Sequence, residues 1–190
     1  MEYTLARAAL YNFFAAAVGD APTPALAATA REMSPDLPSI GLDELQLEYT
    51  RLLIGPGKHY TPPYASIHLH SPQEGKALLW GTEATVVEDI YRAAGLKIET
   101  GQPRVPDHLA LELQFMHHLC ACEANSATQG QVEEAALWRS QQQTFLRERL
   151  LTWLPGFVKK IKQAQTLPFY GKVGEITLEF LQTELNANTE

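Results

Sequence analysis

Apolar residues recur at intervals of three, four and seven along nearly the whole chain, and proline or glycine interrupts the pattern each time it stops. Tyr3, Leu10, Phe13, Phe14, Ala17 and Val18 share one helical face, and Gly19-Asp20 followed by Pro22 and Pro24 ends it. A shorter helix is expected over 24–32, then a connection over 34–41 carrying Pro35 and Pro38. Leu42, Leu45, Tyr49, Leu52 and Leu53 keep a helical face until Gly55-Pro56-Gly57, which cannot continue it. Residues 55–70 read as irregular around Pro62-Pro63-Tyr64, and only 67–70 hints at strand-like alternation. Helix is expected to resume at Ser71-Pro72-Gln73-Glu74, where Ser71 can cap and Glu74 can reach back. It breaks at Gly81, after which Thr82 can cap a helix with Val86, Val87, Ile90 and Tyr91 on its face, closed by Gly95.

A connector over 96–105, with Gly101 and Pro103, is a candidate hinge. Pro106-Asp107 then opens a helix bearing Leu109, Leu113, Phe115, Met116, Leu119 and Cys120, fading in the polar run 125–130. A long helix should follow over 131–151, with Trp153-Leu154-Pro155-Gly156 bending the chain into another that carries Phe157, Val158 and Ile161. Pro168-Phe169-Tyr170 opens the last. Stripes of this period must be buried helix against helix, so the expected fold class is all-α: one single-domain helical bundle over residues 1–190.

A chain of 190 residues can bury roughly 70% of its unfolded surface, enough for a core without metal or disulfides. Cys120 and Cys122 are two residues apart, a spacing that points helical thiols apart, which fits a reducing compartment. Fifteen Lys and Arg stand against 22 Asp and Glu, a net charge of −7 that disfavours nucleic acid and suits a basic partner. The first residues show no basic head with an apolar run and cleavage site, and no apolar stretch approaches ~18 residues, so a cytoplasmic protein without membrane insertion is expected.

Few residue clusters point to catalysis. Gly55-Pro56-Gly57-Lys58 offers glycines and a lysine for a phosphate, but its proline has no amide to donate and no strand precedes it. His117, His118, Cys120 and Cys122 share a helix at spacings that a metal hydrolase could use, whereas Cys120 also simply continues the apolar face of Leu113 and Met116. No catalytic residue, metal or cofactor of the chain's own is expected. Asp107-His108 at a helix start is more suggestive: Asp107 can accept first-turn amides while an exposed His108 stands beside it as a polar anchor, or the pair is plain capping. Trp80, at a helix break, reads equally as a core plug or as the wall of an apolar groove.

Two dense blocks give these pieces a family resemblance. Glu48-Tyr49-Thr50-Arg51-Leu52-Leu53-Ile54-Gly55-Pro56-Gly57, followed by Pro62-Pro63-Tyr64-Ala65-Ser66, and then Pro106-Asp107-His108-Leu109-Ala110-Leu111-Glu112-Leu113-Gln114-Phe115-Met116 resemble the TorD/DmsD family of redox-enzyme maturation chaperones. Leu53 stands where that family often has phenylalanine, and His68 where an aromatic often follows the Pro-Pro-Tyr loop. The resemblance implies an all-helical, non-catalytic protein, either monomer or domain-swapped homodimer. It also implies binding of the twin-arginine signal peptide, or the apo-protein, of a molybdopterin-containing oxidoreductase, delaying export until the cofactor is inserted. Carried to this chain, the implied leader-binding residues are Asp107, His108 and Glu112, with Trp80 and Tyr64. Such a leader presents two guanidinium groups and then an apolar segment, so its receptor needs carboxylates beside an apolar groove. A hydrolase working through the His/Cys helix, or a permanent non-catalytic oxidoreductase subunit, are the competing expectations.

Overall fold

The computed structural model describes residues 2–69, 81–96 and 105–187. Trp80, the 71–74 cap and all of the 96–105 connector except its two ends lie outside them. The regular elements of the described residues are helices: α1 (Glu2–Gly19), α2 (Pro24–Met33), α3 (Leu42–Tyr49), α4 (Ala65–Leu69), α5 (Thr82–Ala93), α6 (Leu109–Thr128), α7 (Val132–Phe145), α8 (Leu151–Ala164) and α9 (Phe169–Asn186). Among the described residues no helix is long and apolar enough to cross a membrane. Thr23 caps α2, its hydroxyl accepting from the Leu26 amide at 3.2 Å with Pro24 at the first helical position.

The bundle is built around α6, with α1 and α7 packed along it and α8 paired with α9. Leu109, Leu113, Phe115, Met116, Leu119 and Cys120 are all buried, so α6 is covered on most of its circumference. Tyr11 and Phe14 of α1, Leu150 just before α8, and Leu154 and Ile161 within it join them in one continuous core.

Two wider turns depart from the simple helical reading. A π-helical turn, Thr50–Ile54, extends α3 and closes on Gly55, whose amide donates to the Thr50 carbonyl at 3.1 Å. Gly55 has φ 62°, and a Cβ there would meet the Tyr60 ring at 2.6 Å, so glycine is required on both counts. A second π-helical turn, Leu146–Leu150, joins α7 to α8. The bend expected around Pro155 does not end a helix there: Pro155 lies inside α8, and the junction with α7 is the π-helical turn that precedes it. Residues 65–69, read from the sequence as irregular or weakly alternating, form the short helix α4.

Candidate functional site

The loop before α4 and the start of α6 are stitched together by backbone and side chain. The Leu109 amide donates to the Pro63 carbonyl at 2.8 Å and the Ala65 amide to the Asp107 carbonyl at 3.0 Å, with Tyr64 and His108 paired as an isolated antiparallel bridge. Their rings meet edge to face, centroids 4.9 Å apart. The Asp107 carboxylate accepts from the Ser66 amide at 2.8 Å, so it caps α4, not its own helix. The cap of α6 is His108, whose Nδ1 accepts from the Ala110 amide at 3.0 Å.

These positions correct the expectation of an exposed Asp107-His108 anchor. Asp107 is 0% exposed and His108 5%. Both are pressed under the loop that they fasten, while Tyr64 remains half-buried at its edge.

Glu112, one turn further along α6, is 0% exposed. Its Oε2 accepts from the Trp153 indole N–H at 3.1 Å, while Glu112 Oε1 and Asp107 Oδ1 have no hydrogen-bond partner among the described residues. Burial above all, then the nearby charges of Asp107 and Glu83, hold the Glu112 carboxyl well above the usual carboxylate range, against the Trp153 hydrogen bond and the Arg149 charge. Arg149 itself pairs with Glu83 at 3.1 Å. Tyr91 closes this polar pocket, its hydroxyl donating to the Pro106 carbonyl at 3.1 Å.

A folded state that keeps Glu112 protonated loses stability as pH climbs. Above the unfolded value of 4.5 the unfolded chain releases its proton first, and the loss continues until the raised folded value is passed. Glu112→Gln removes this dependence and keeps an acceptor for Trp153. The melting temperature of the variant should therefore gain on the wild type steadily from about pH 4.5 to 8; a constant gap would show that Glu112 is ionised in the fold.

The family model for the nitrate reductase delta subunit matches residues 19–159. The chain belongs to the nitrate reductase delta subunit family. The match covers both the loop before α4 and the start of α6, so the joint lies inside the family's domain. The curated TorD chaperone of Vibrio cholerae is 31% identical over 144 residues, covering 74% of this chain and 60% of that protein. The TorD chaperone of Shewanella amazonensis is 30% identical over 161 residues, covering 75% and 63%. This family member therefore spans a little over 60% of the length of the curated relatives that it matches. A solved Archaeoglobus fulgidus protein described as a redox enzyme maturation protein shares the fold over 93% of both chains, at TM-score 0.58 and 18% identity.

In this delta-subunit domain the His/Cys positions of α6 do not meet at one point: only His118 and Cys122 touch each other. His117 Nδ1 meets the Ala8 carbonyl at 2.8 Å, Cys120 faces Gln142 at 3.4 Å, and Cys122 lies 3.5 Å from His118 Nε2. Burial, foremost, pushes the Cys120 thiol up to about 12 in spite of the Arg7 charge. No three His, Cys, Asp or Glu side chains converge as a metal site among the described residues.

His68, on α4, stacks on Trp153 at 5.4 Å, and its Nε2 lies 2.8 Å from the Pro62 carbonyl. Trp153, Tyr91 and Arg149 are members of the site that sequence spacing had not indicated, since each comes from a separate helix or turn. Beside the joint a groove of about 410 Å³ runs between α5 and α7. Phe115 and Phe145 form its floor, edge to face at 4.9 Å, with Ile90, Ala94 and Thr144 on its walls and Glu148 at one end.

Proposed function

We propose that this chain is a cytoplasmic, non-catalytic maturation chaperone. It holds the twin-arginine signal peptide, the apo-form, or both, of a molybdopterin-containing oxidoreductase while the cofactor is inserted. What carries this reading is the way the two TorD-like blocks, some 40 residues apart, lock into one joint through Asp107, inside the region that matches TorD chaperones. Asp107, His108 and Glu112 act in it by positioning the loop that presents Tyr64, and Trp80, outside the described residues, is included on the family resemblance alone. The negative charge of −7 suits a leader that arrives with two guanidinium groups. Affinity should be moderate, with buried apolar area supplying most of it, so that the leader can pass on to the translocase.

Calorimetric titration with a twin-arginine leader peptide, and separately with the apo-oxidoreductase, tests this. Saturable binding of at least one is expected; binding of neither would overturn the reading. The family description names a subunit, which favours the rival reading of a permanent component. Stable co-purification with the mature, cofactor-loaded enzyme would mark it as that.

A further inference from the structure

The carboxylates inside the joint cannot be touched by a peptide in this state, because Asp107 and Glu112 are fully buried. A leader must therefore land on a surface next to them, and the α5–α7 groove is open at that place. We infer that this groove receives the apolar segment of a basic-then-apolar peptide, with the Glu148 carboxylate meeting a guanidinium at its end; this rests on the leader-binding reading above and gives it a surface.

Four observations support that occupant. The floor is apolar and aromatic, Phe115 and Phe145, and the facing walls carry short side chains, Ala94 and Thr144, which leave about 410 Å³ unfilled, within the usual range for bound ligands. Glu148 is exposed and has no ion-pair partner among the described residues, so it is available to an incoming cation without breaking an existing pair. Arg149, the one cation lining the groove among the described residues, is already tied to Glu83 and does not repel a second guanidinium with a free charge. Groove and joint are also continuous. Phe115 is packed against Tyr91 at 4.7 Å, whose hydroxyl holds the Pro106 carbonyl beside Asp107. An apolar segment lying along Phe115 would thus be felt at the joint through one aromatic contact.

The test uses the full chain, a synthetic twin-arginine leader and the same peptide with both arginines replaced by glutamine. Thr144→Trp fills the groove from an exposed position, and Glu148→Lys reverses the charge at its end. Both should melt close to the wild type. Thr144→Trp is expected to weaken binding of both peptides at least tenfold. Glu148→Lys should weaken the arginine peptide several-fold more than the glutamine peptide. If the wild type binds the leader and both variants bind it equally well, the groove is overturned while leader binding stands. If the wild type binds no leader, both fall. If Thr144→Trp changes only the oligomeric state in sedimentation, the groove is a contact between copies and the inference is overturned.

Discussion

Replacing Arg7 by methionine is expected to destabilise the protein by about 3–5 kcal/mol, the cost of taking the nearest counter-charge from a buried carboxylate and leaving it only Arg139, at 3.7 Å. Arg7 is 2% exposed in α1 and ties four helices together. Its Nε donates to Glu184 of α9, Nη1 to Glu123 of α6 at 3.1 Å, and Nη2 to Gln142 of α7. Gln142 in turn donates to Glu123 at 2.8 Å, so removing the guanidinium breaks a connected network. Burial already raises the Glu184 carboxyl above its usual range, with Arg7 as the main opposing influence. Without Arg7 that carboxyl is held still higher, and stability carried by its protonated form is lost as pH rises. The defect should therefore be smaller at pH 5 than at pH 8 in urea unfolding. Arg7→Met combined with Glu184→Met should recover more than half of the loss, because the poorly compensated buried charge is gone. A single variant that unfolds like the wild type at both pH values would show that Arg7 is solvated in the native state.

The helices were legible because burial imposes their spacing. The face Leu42, Leu45, Tyr49, Leu52 and Leu53 lies where the pattern put it, up to the glycine that stops it. The π-helical turns at 50–54 and 146–150 were not legible, because one extra residue per turn shifts the stripe by less than the variation among the residues on it. Pro155 reads as a bend in the sequence but lies inside α8, because a proline near a helix start costs one helical hydrogen bond and the chain reaches it from the π-helical turn at 146–150. At the site, Glu112 could have been recognised as buried. It falls with Leu109, Leu113 and Met116 at the intervals of a core stripe, and Arg7 falls likewise four residues before the buried Tyr11 and seven before Phe14. What spacing cannot supply is the identity of a distant partner. Asp107 precedes α6 and has the chemistry of a cap, but nothing local says that the amide it accepts from, Ser66 in the first turn of α4, lies 41 residues earlier.

That misplacement decides what Asp107→Ala should do. An exposed anchor would lose leader binding and leave the melting temperature nearly unchanged. A buried cap removed from the Ser66 amide forfeits a hydrogen bond to a charged group, about 1.5–3 kcal/mol. For a chain of this size that corresponds to a fall of several degrees, at about 2–4 °C per kcal/mol. We expect Asp107→Ala to lower both melting temperature and leader affinity, the second because the loop presenting Tyr64 is released from α6. Asp107→Asn separates the two roles. Its amide oxygen can still accept from Ser66, so a positioning residue should retain most of the stability and most of the binding. Asparagine that restores the melting temperature but not the affinity would mean instead that the Asp107 charge itself meets the ligand, which requires the joint to open on binding. Hydrogen exchange at Ala65, Ser66 and Leu109, the three amides that close the joint, distinguishes these cases: a positioning role keeps them protected in the complex, and an opening joint exposes them.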